Sequence, residues 1–154
     1  MKKAPIQVIA KNKKAYFNFE ILEKMEAGIV LTGAEIKAVR GNRINLKGSY
    51  VAILRGEAWV ENIHIAKYPY ATLTDYEPKR KRKLLLRKKE IQKLALQSEI
   101  KGVTIVPLEV ILKNNFAKIV IGLVRGKKKY DKREVIKKRQ EEREIQKSIK
   151  KYSR

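Results

Sequence analysis

The sequence predicts a mainly β fold, a small Greek-key barrel with two or three short helices, which ends in a basic C-terminal tail. About six or seven short runs alternate apolar and polar residues, and they outnumber the helical patterns. Strands and helices do not alternate regularly along the chain, whereas a parallel sheet would require such alternation. Beyond residue 126 few apolar residues remain. Because closing the sheet removes its exposed edges, we expect an OB-fold-like barrel.

The N-terminal part is predicted to begin with irregular chain and to continue into strands. Residues 1–11 are basic, and we expect them to be flexible, with irregular backbone extending to residue 14. Residues 16–23 alternate apolar and polar side chains, which predicts a strand. Residues 27–31 are a second strand, or a continuation of the first after a bulge at Gly28.

A helix and a hairpin are predicted next. Thr32 and Glu35 have the spacing of a capping box, so a short helix should follow. Lys37 and Arg40 lie three residues apart and should share its outward face. Strands over 49–54 and 57–65 flank the turn Arg55-Gly56 as a β-hairpin.

The remaining elements of the barrel follow a loop over residues 67–78. This loop carries three tyrosines that have two interpretations, base stacking or packing of the loop itself: Tyr68, Tyr70 and Tyr76. Near-helical spacing of leucines predicts a helix over 84–101, ended by Gly102. Three further strands are predicted over 103–107, 108–113 and 116–124.

The last 28 residues, 127–154, differ in composition from the rest. They hold thirteen Lys or Arg and five Asp or Glu, a net charge of +8. Such a segment cannot fold by burying apolar surface. Its thin apolar stripe, which includes Ile145, predicts a tail that is disordered or frayed alone and helical on binding. We therefore divide the chain into a barrel domain, 1–126, and a tail, 127–154.

The charge of the chain predicts a polyanionic partner. There are 38 Lys and Arg against 16 Asp and Glu, which gives a net charge of +22 and a pI near 10.2. Residues 79–83 are five consecutive cations, so we predict phosphate contacts there; the alternative is a solvated helix start. RNA or DNA fits such a field. Glu26 is either a surface ion-pair partner or an acceptor for a base edge or ribose hydroxyl.

Several functional classes do not fit this sequence. It has no cysteine and one histidine, so we expect no disulfide and no metal site. We find no glycine-rich phosphate loop and no acid–base cluster, and we expect neither a cofactor nor enzymatic activity. No apolar run approaches the roughly 20 residues of a membrane helix, and the first residues do not resemble a signal peptide. We expect a cytoplasmic protein that does not bind membranes.

Residues 25–40, MEAGIVLTGAEIKAVR, resemble the signature of the small protein B family, the tmRNA (SsrA RNA)-binding proteins of bacteria. Further similar stretches follow the family's order: 12–15, 49–50, 82–86, 121–128 and 130–133. The match covers nearly the whole chain, and several motifs at the right separations make it specific. The chain departs from the family pattern at Ala38, Arg87, Phe116, Arg125 and Tyr130.

The resemblance implies an OB-fold barrel that clasps the tRNA-like domain of tmRNA near its elbow. It implies delivery of alanyl-tmRNA, together with elongation factor Tu, to ribosomes stalled without a codon, where trans-translation rescues the ribosome and tags the peptide. We expect a monomer. The alternative function is that of a ribosomal or general structured-RNA-binding protein with a basic extension.

The family's functional residues map onto this sequence in two groups. RNA contacts are implied for Asn12, Glu26, Leu85 and Lys118, with Lys13, Lys37, Arg40, Arg82, Lys83, Arg125, Lys127 and Lys128 nearby. Residues 126–133 resemble the stretch that lies near the decoding centre, and the rest of the tail would occupy the empty mRNA channel. The ribosome-contacting residues implied in this way are Gly126, Tyr130, Asp131, Lys132, Arg133 and Ile145.

Overall fold

The computed structural model describes residues 6–70, 76–114 and 116–127, together with 137, 139–141 and 143 of the tail. Its elements follow in the order β1 (Ile6–Lys11), α1 (Lys13–Asn18), β2 (Phe19–Ile29), α2 (Gly33–Arg40), β3 (Ile44–Asn45), β4 (Tyr50–Leu54), β5 (Glu57–Glu61), β6 (His64–Ile65), β7 (Arg82–Leu85), α3 (Lys88–Ser98), β8 (Val103–Lys113) and β9 (Phe116–Gly126). Among the described residues, no helix is both long and apolar enough to cross a membrane.

One antiparallel sheet dominates the molecule. Its strand order is β1-β8-β9-β2-β7-β5-β4, and β3 pairs separately with β6. Strand β9 pairs on one side with β8, which precedes it directly, and on the other side with β2, which lies almost a hundred residues earlier in the chain. The last strand of the sheet, β4, packs against β8, so the sheet curls round its own interior. The predicted mainly β fold with few short helices is confirmed.

Apolar side chains from the sheet, from the helices and from the segment between β5 and β6 fill this interior. The most deeply buried of them include Val39, Ile63, Leu84, Ile105 and Ile119. A smaller cluster beneath α1 joins Ala15 to side chains of β8 and β9. These two clusters hold the strands in register, and so they fix which side chains reach the outer surface.

Two N-terminal predictions were wrong. Residues 6–11 form a strand, β1, although Ile6 and Val8 are more than half exposed. Backbone pairing with β8, not burial, holds this strand, and apolar patterning does not report such pairing. Residues 13–18 form α1 where irregular chain and a strand were expected, because the Asn12 side chain accepts from the Ala15 N–H and begins a helix.

Three other boundaries differ from the prediction. Strand β2 continues through Gly28, and its register shift lies between Ile21 and Glu23. The leucines after residue 83 belong first to β7, where Leu84 is buried, and only then to α3. Strand β8 is continuous, with a register shift between Pro107 and Glu109 where two strands were predicted. Short apolar runs of this kind fit a strand and a helix equally well.

The helix cap and the hairpin turn were predicted correctly. Thr32 and Glu35 form both hydrogen bonds of a capping box at the start of α2. Arg55 and Gly56 have φ of 51° and 75°, the left-handed conformation that a tight hairpin turn requires. The second strand of this hairpin ends at Glu61, earlier than predicted, and β6 pairs elsewhere.

Candidate nucleic-acid interface

An open groove of about 820 Å³ lies on the outer surface of the barrel where β2, β7 and β9 meet the start of α3. We call it the β2–β7–β9 groove. Its lining includes Glu26, Gly28, Lys83, Leu85, Arg87 and Lys118. Four of the residues implied for RNA contact, Glu26, Lys83, Leu85 and Lys118, are therefore brought together from three strands that are distant in sequence.

Charges of both signs line this groove, and Lys113 lies beside it. The Glu26 carboxylate lies 3.3 Å from the ammonium of Lys118 and 3.7 Å from that of Lys113. The Lys83 ammonium lies 3.3 Å from the Glu57 carboxylate. All these side chains are partly exposed, and exposed ion pairs contribute only about 0–1 kcal/mol. The ammonium groups can therefore exchange these partners for phosphates at little cost.

Leu85 provides an exposed apolar side chain in the lining of the groove. Its side chain is 55% exposed, on the outer face of β7. Gly28 lies opposite it in the strand pairing, and a Cβ at Gly28 would lie 3.1 Å from the Leu85 Cβ. A glycine on β2 thus leaves room for the leucine to lie across the strand, where it can pack on a ribose or a base.

Arg82 is not a surface contact, which corrects its predicted role. It is fully buried, and its guanidinium donates to the Glu35 carboxylate at 2.6 Å and to the backbone oxygen of Ile63 at 2.9 Å. Arg80 forms a second ion pair with Glu35. Side chains alternate along β7, so Arg82 and Leu84 point inward while the residues between and after them point outward.

The Glu35 carboxyl is ionised in the protein interior. Burial would raise its pKa, but hydrogen bonds from Arg80, from the Thr32 backbone N–H and from Arg82 outweigh burial and hold its pKa below the usual 4.5. Tyr76 joins the network, donating to the Ile65 backbone oxygen at 2.8 Å. This network ties α2 to the loop before β7, and so it fixes the strand that carries Lys83 and Leu85.

Asn12 likewise has a structural role in place of the predicted RNA contact. Only 6% of it is exposed. Its amide donates to the backbone oxygens of Pro107, at 2.9 Å, and of Leu46, at 3.4 Å, while its oxygen caps α1. A side chain with these three bonds holds α1 against β8 and has little surface for a ligand.

A second basic depression lies beside α1, away from the β2–β7–β9 groove. Lys13 and Lys127 line it, together with residues that sequence analysis did not single out: Lys11, Lys14, Phe17 and the tail residue Arg139. Consecutive lysines at 13 and 14 were the only sequence signal. Arg125 lies on β9 in a 2.8 Å ion pair with Glu20, both exposed, and it lines neither depression among those described.

The remaining predicted residues lie elsewhere. Lys37 and Arg40 occupy the exposed face of α2, as predicted, but they do not line the groove. Gly126 is exposed at the end of β9. Predictions for Lys128, Tyr130, Asp131, Lys132, Arg133 and Ile145 lie outside the described residues. Lys113 was missed because it reaches Glu26 only through the pairing of β8 with β9 and of β9 with β2.

A barrel with an open groove that combines ammonium groups with an exposed apolar side chain is of the nucleic-acid-binding class. The family model described as SmpB protein matches residues 9–151. The chain belongs to the SmpB protein family. Within the described part of the chain, no group of three or more His, Asp or Glu side chains is placed to hold a metal ion.

Relatives and a solved structure agree with this family. The SsrA-binding protein of Ligilactobacillus salivarius (strain UCC118) is 51% identical over 144 residues, which are 94% of this chain and 93% of the relative. The SsrA-binding protein of Streptococcus sanguinis (strain SK36) is 49% identical over 153 residues, 99% of each chain. A chain in a solved structure described as "tmRNA-SmpB: a journey to the center of the bacterial ribosome" is 41% identical, with a TM-score of 0.66 over 82% of this chain and 87% of that one.

Proposed function

We propose that this protein binds the tRNA-like domain of tmRNA and brings it to stalled ribosomes for trans-translation in the cytoplasm. The observation that carries the proposal is the β2–β7–β9 groove, in which Glu26, Leu85 and Lys118 converge. The relatives described as SsrA-binding proteins, at about half identity over nearly the whole chain, support the choice of RNA. The protein would act by binding, without catalysis or a cofactor.

The groove is suited to an RNA recognised through its shape. Lys83, Lys113 and Lys118 would neutralise phosphates, and Leu85 would pack on a ribose or base. Glu26 would accept a hydrogen bond from a base edge or a 2′-hydroxyl, which a cation cannot do. Because these groups lie on paired strands, they keep fixed separations, and a folded tRNA-like backbone presents its phosphates at fixed separations too.

The tail would act after RNA binding. We propose that residues 126–133 reach the decoding centre and that the rest of the tail enters the empty mRNA channel, a passage lined by rRNA phosphates. A chain segment with a net charge of +8 is suited to such a passage. Elongation factor Tu would be recruited through the aminoacylated RNA, and the protein would act as a monomer.

Truncation after Lys129 tests the division between barrel and tail. The truncated protein should bind tRNA-like RNA within about tenfold of the full chain, or about 1.4 kcal/mol, because the described residues that line the groove all belong to the barrel. Binding is measured by filter retention of the tRNA-like transcript at fixed salt, since salt alone shifts such affinities. A loss of several orders of magnitude would instead favour a general RNA-binding protein with a basic extension.

A further inference from the structure

The loop after β6 carries two aromatic rings that the groove does not use. Tyr70 is 83% exposed, the most exposed of the large apolar side chains among the described residues. The Tyr68 ring lies beside it, with centroids 5.5 Å apart and planes at 65°, an edge-to-face arrangement. The Lys37 ammonium lies over the Tyr68 ring, 5.4 Å from its centroid. We call these three side chains the Tyr70 platform.

Tyr76, the third tyrosine of this loop, is held by contacts within the protein. The Tyr76 hydroxyl donates to the Ile65 backbone oxygen and meets the Glu35 carboxylate, and its side chain is mostly buried. Neither Tyr68 nor Tyr70 makes a side-chain hydrogen bond to the described residues. Packing therefore explains Tyr76. Tyr68 is half-buried against Lys37 and Tyr70, so Tyr70 is the ring that is left open for base stacking.

The platform is held on a fixed base. The Ile65 N–H donates to the Pro78 oxygen at 3.0 Å, and the Ala66 N–H donates to the Arg43 oxygen at 3.0 Å. These bonds anchor the loop only two residues before Tyr68. Lys37 projects from α2, whose first turn is fixed by its capping box. A ring that is supported in this way loses little conformational freedom when a ligand stacks on it.

A single exposed aromatic ring would not indicate a binding site, because single exposed apolar side chains are common. Here a second ring and a cation lie beside the exposed ring. Lys37 makes no salt bridge to any of the described residues. A flat apolar face next to an ammonium group matches a nucleotide, which offers a flat base beside a phosphate. The net charge of +22 favours the same partner.

We propose that the Tyr70 platform stacks on one unpaired nucleobase of the bound RNA, with Lys37 on a phosphate nearby, as a site separate from the β2–β7–β9 groove. This inference rests on the proposed function and adds a second contact to it. The base belongs either to the tRNA-like RNA or to ribosomal RNA, and the chemistry of recognition is the same for both.

The first test compares full-length variants on a tRNA-like transcript of tmRNA and on stalled ribosomes with bound tmRNA. Tyr70→Ala should weaken binding in one of the two measurements by about tenfold, the usual effect of losing one stacked base. Tyr70→Phe should stay within about twofold, because it keeps the ring. Tyr50→Ala, which removes another exposed tyrosine, on β4 and outside the Tyr70 platform, is the matched control and should bind like the wild type.

Two further readouts separate stacking from a structural effect. Tyr70→Ala should leave the thermal midpoint and the salt slope unchanged, whereas Lys37→Gln should lower the slope by about one unit. Single abasic sites are then placed in the unpaired segments of the RNA whose binding Tyr70→Ala weakens. At one position, the missing base should weaken wild-type binding about tenfold. The same abasic RNA should bind the Tyr70→Ala variant as tightly as the intact RNA does.

The inference is overturned if Tyr70→Ala matches the wild type in both measurements, or if Tyr70→Phe is as weak as Tyr70→Ala. If the wild-type protein fails to bind the tRNA-like transcript at all, the proposed function falls. The ribosome measurement alone then tests the role of Tyr70, and the same criteria apply.

Discussion

The position of each residue on its strand determines which of the many cations are exposed to a ligand. Arg80, Arg82 and Lys83 stand in one unbroken basic run, yet Arg82 is buried and Lys83 lines the groove. In the sequence alone, the run predicts one charged surface. The alternation of side chains along a strand separates them, but this rule applies only once β7 is known to be a strand and not the start of a helix.

Burial of the Glu35 carboxylate predicts a pH-dependent stability. Its pKa is lowered in the folded protein, so its contribution is complete above 4.5, the unfolded value, and is lost as the pH falls through the folded value. Glu35→Gln should cost about 3 kcal/mol at pH 7, because it leaves Arg82 buried without its anion. Urea unfolding at pH 7 and pH 3 should show the difference between wild type and variant shrinking at the lower pH.

Glu57→Gln is the matched control for this measurement. Glu57 also pairs with a cation, Lys83, but both side chains are more than 40% exposed. Its loss should change the free energy of unfolding by less than about 1 kcal/mol at either pH. A Glu35→Gln deficit that stayed constant down to pH 3 would show that the buried charge is not its cause.

Two groove residues should weaken RNA binding in different ways. Lys118→Ala removes one ammonium, so the slope of log K against log[salt] should fall by about one unit. Leu85→Ala removes only apolar contact and should weaken binding without changing the slope. Equal slope changes for the two variants would show that the groove does not combine the two kinds of contact. The measurement is a salt titration of binding to the tRNA-like transcript.

Pairing between elements sets the shape of the groove. Gly28 on β2 lies opposite Leu85 on β7, and Gly28→Ala would place a methyl group 3.1 Å from the Leu85 Cβ. Leu85 must then shift, so RNA affinity should fall several-fold while the free energy of unfolding changes by no more than about 1–3 kcal/mol. Gly33→Ala is the control, since a Cβ there meets nothing within 4 Å. Equal RNA binding by the two variants would contradict this account of Leu85.

The elements that sequence analysis predicted correctly are those with a local cause. Thr32 and Glu35 cap α2 through groups three residues apart, and Arg55-Gly56 turns the hairpin through its own backbone. Strand β1 has no such cause, because its stability comes from pairing with β8 about a hundred residues away. Contacts at that separation leave no pattern in a single sequence, which is also why Lys113 was missed.

At the scale of the whole molecule, charge explains much of what the sequence predicted. A net charge of +22 pointed to a polyanion before any strand was placed. It did not show where the polyanion binds, because cations cover the β2–β7–β9 groove, the depression beside α1 and the exposed face of α2 alike. The resemblance to the family supplied Glu26 and Leu85, which charge alone would not have chosen.

The division of labour between barrel and tail gives the final prediction. Asp131→Ala combined with Lys132→Ala and Arg133→Ala should leave affinity for tRNA-like RNA nearly intact, because the described residues that line the groove all belong to the barrel. It should abolish peptide tagging on ribosomes stalled at the 3′ end of a message. If the tail becomes helical on binding, as the sequence predicts, its first cationic residues must bind rRNA before a helix can grow, since nucleation is the costly step. Ile145→Pro should then impair tagging as well, by removing about 3 kcal/mol of helix stability. Normal tagging by Ile145→Pro would disprove folding in the channel, while loss of RNA affinity in the triple variant would disprove the division of labour.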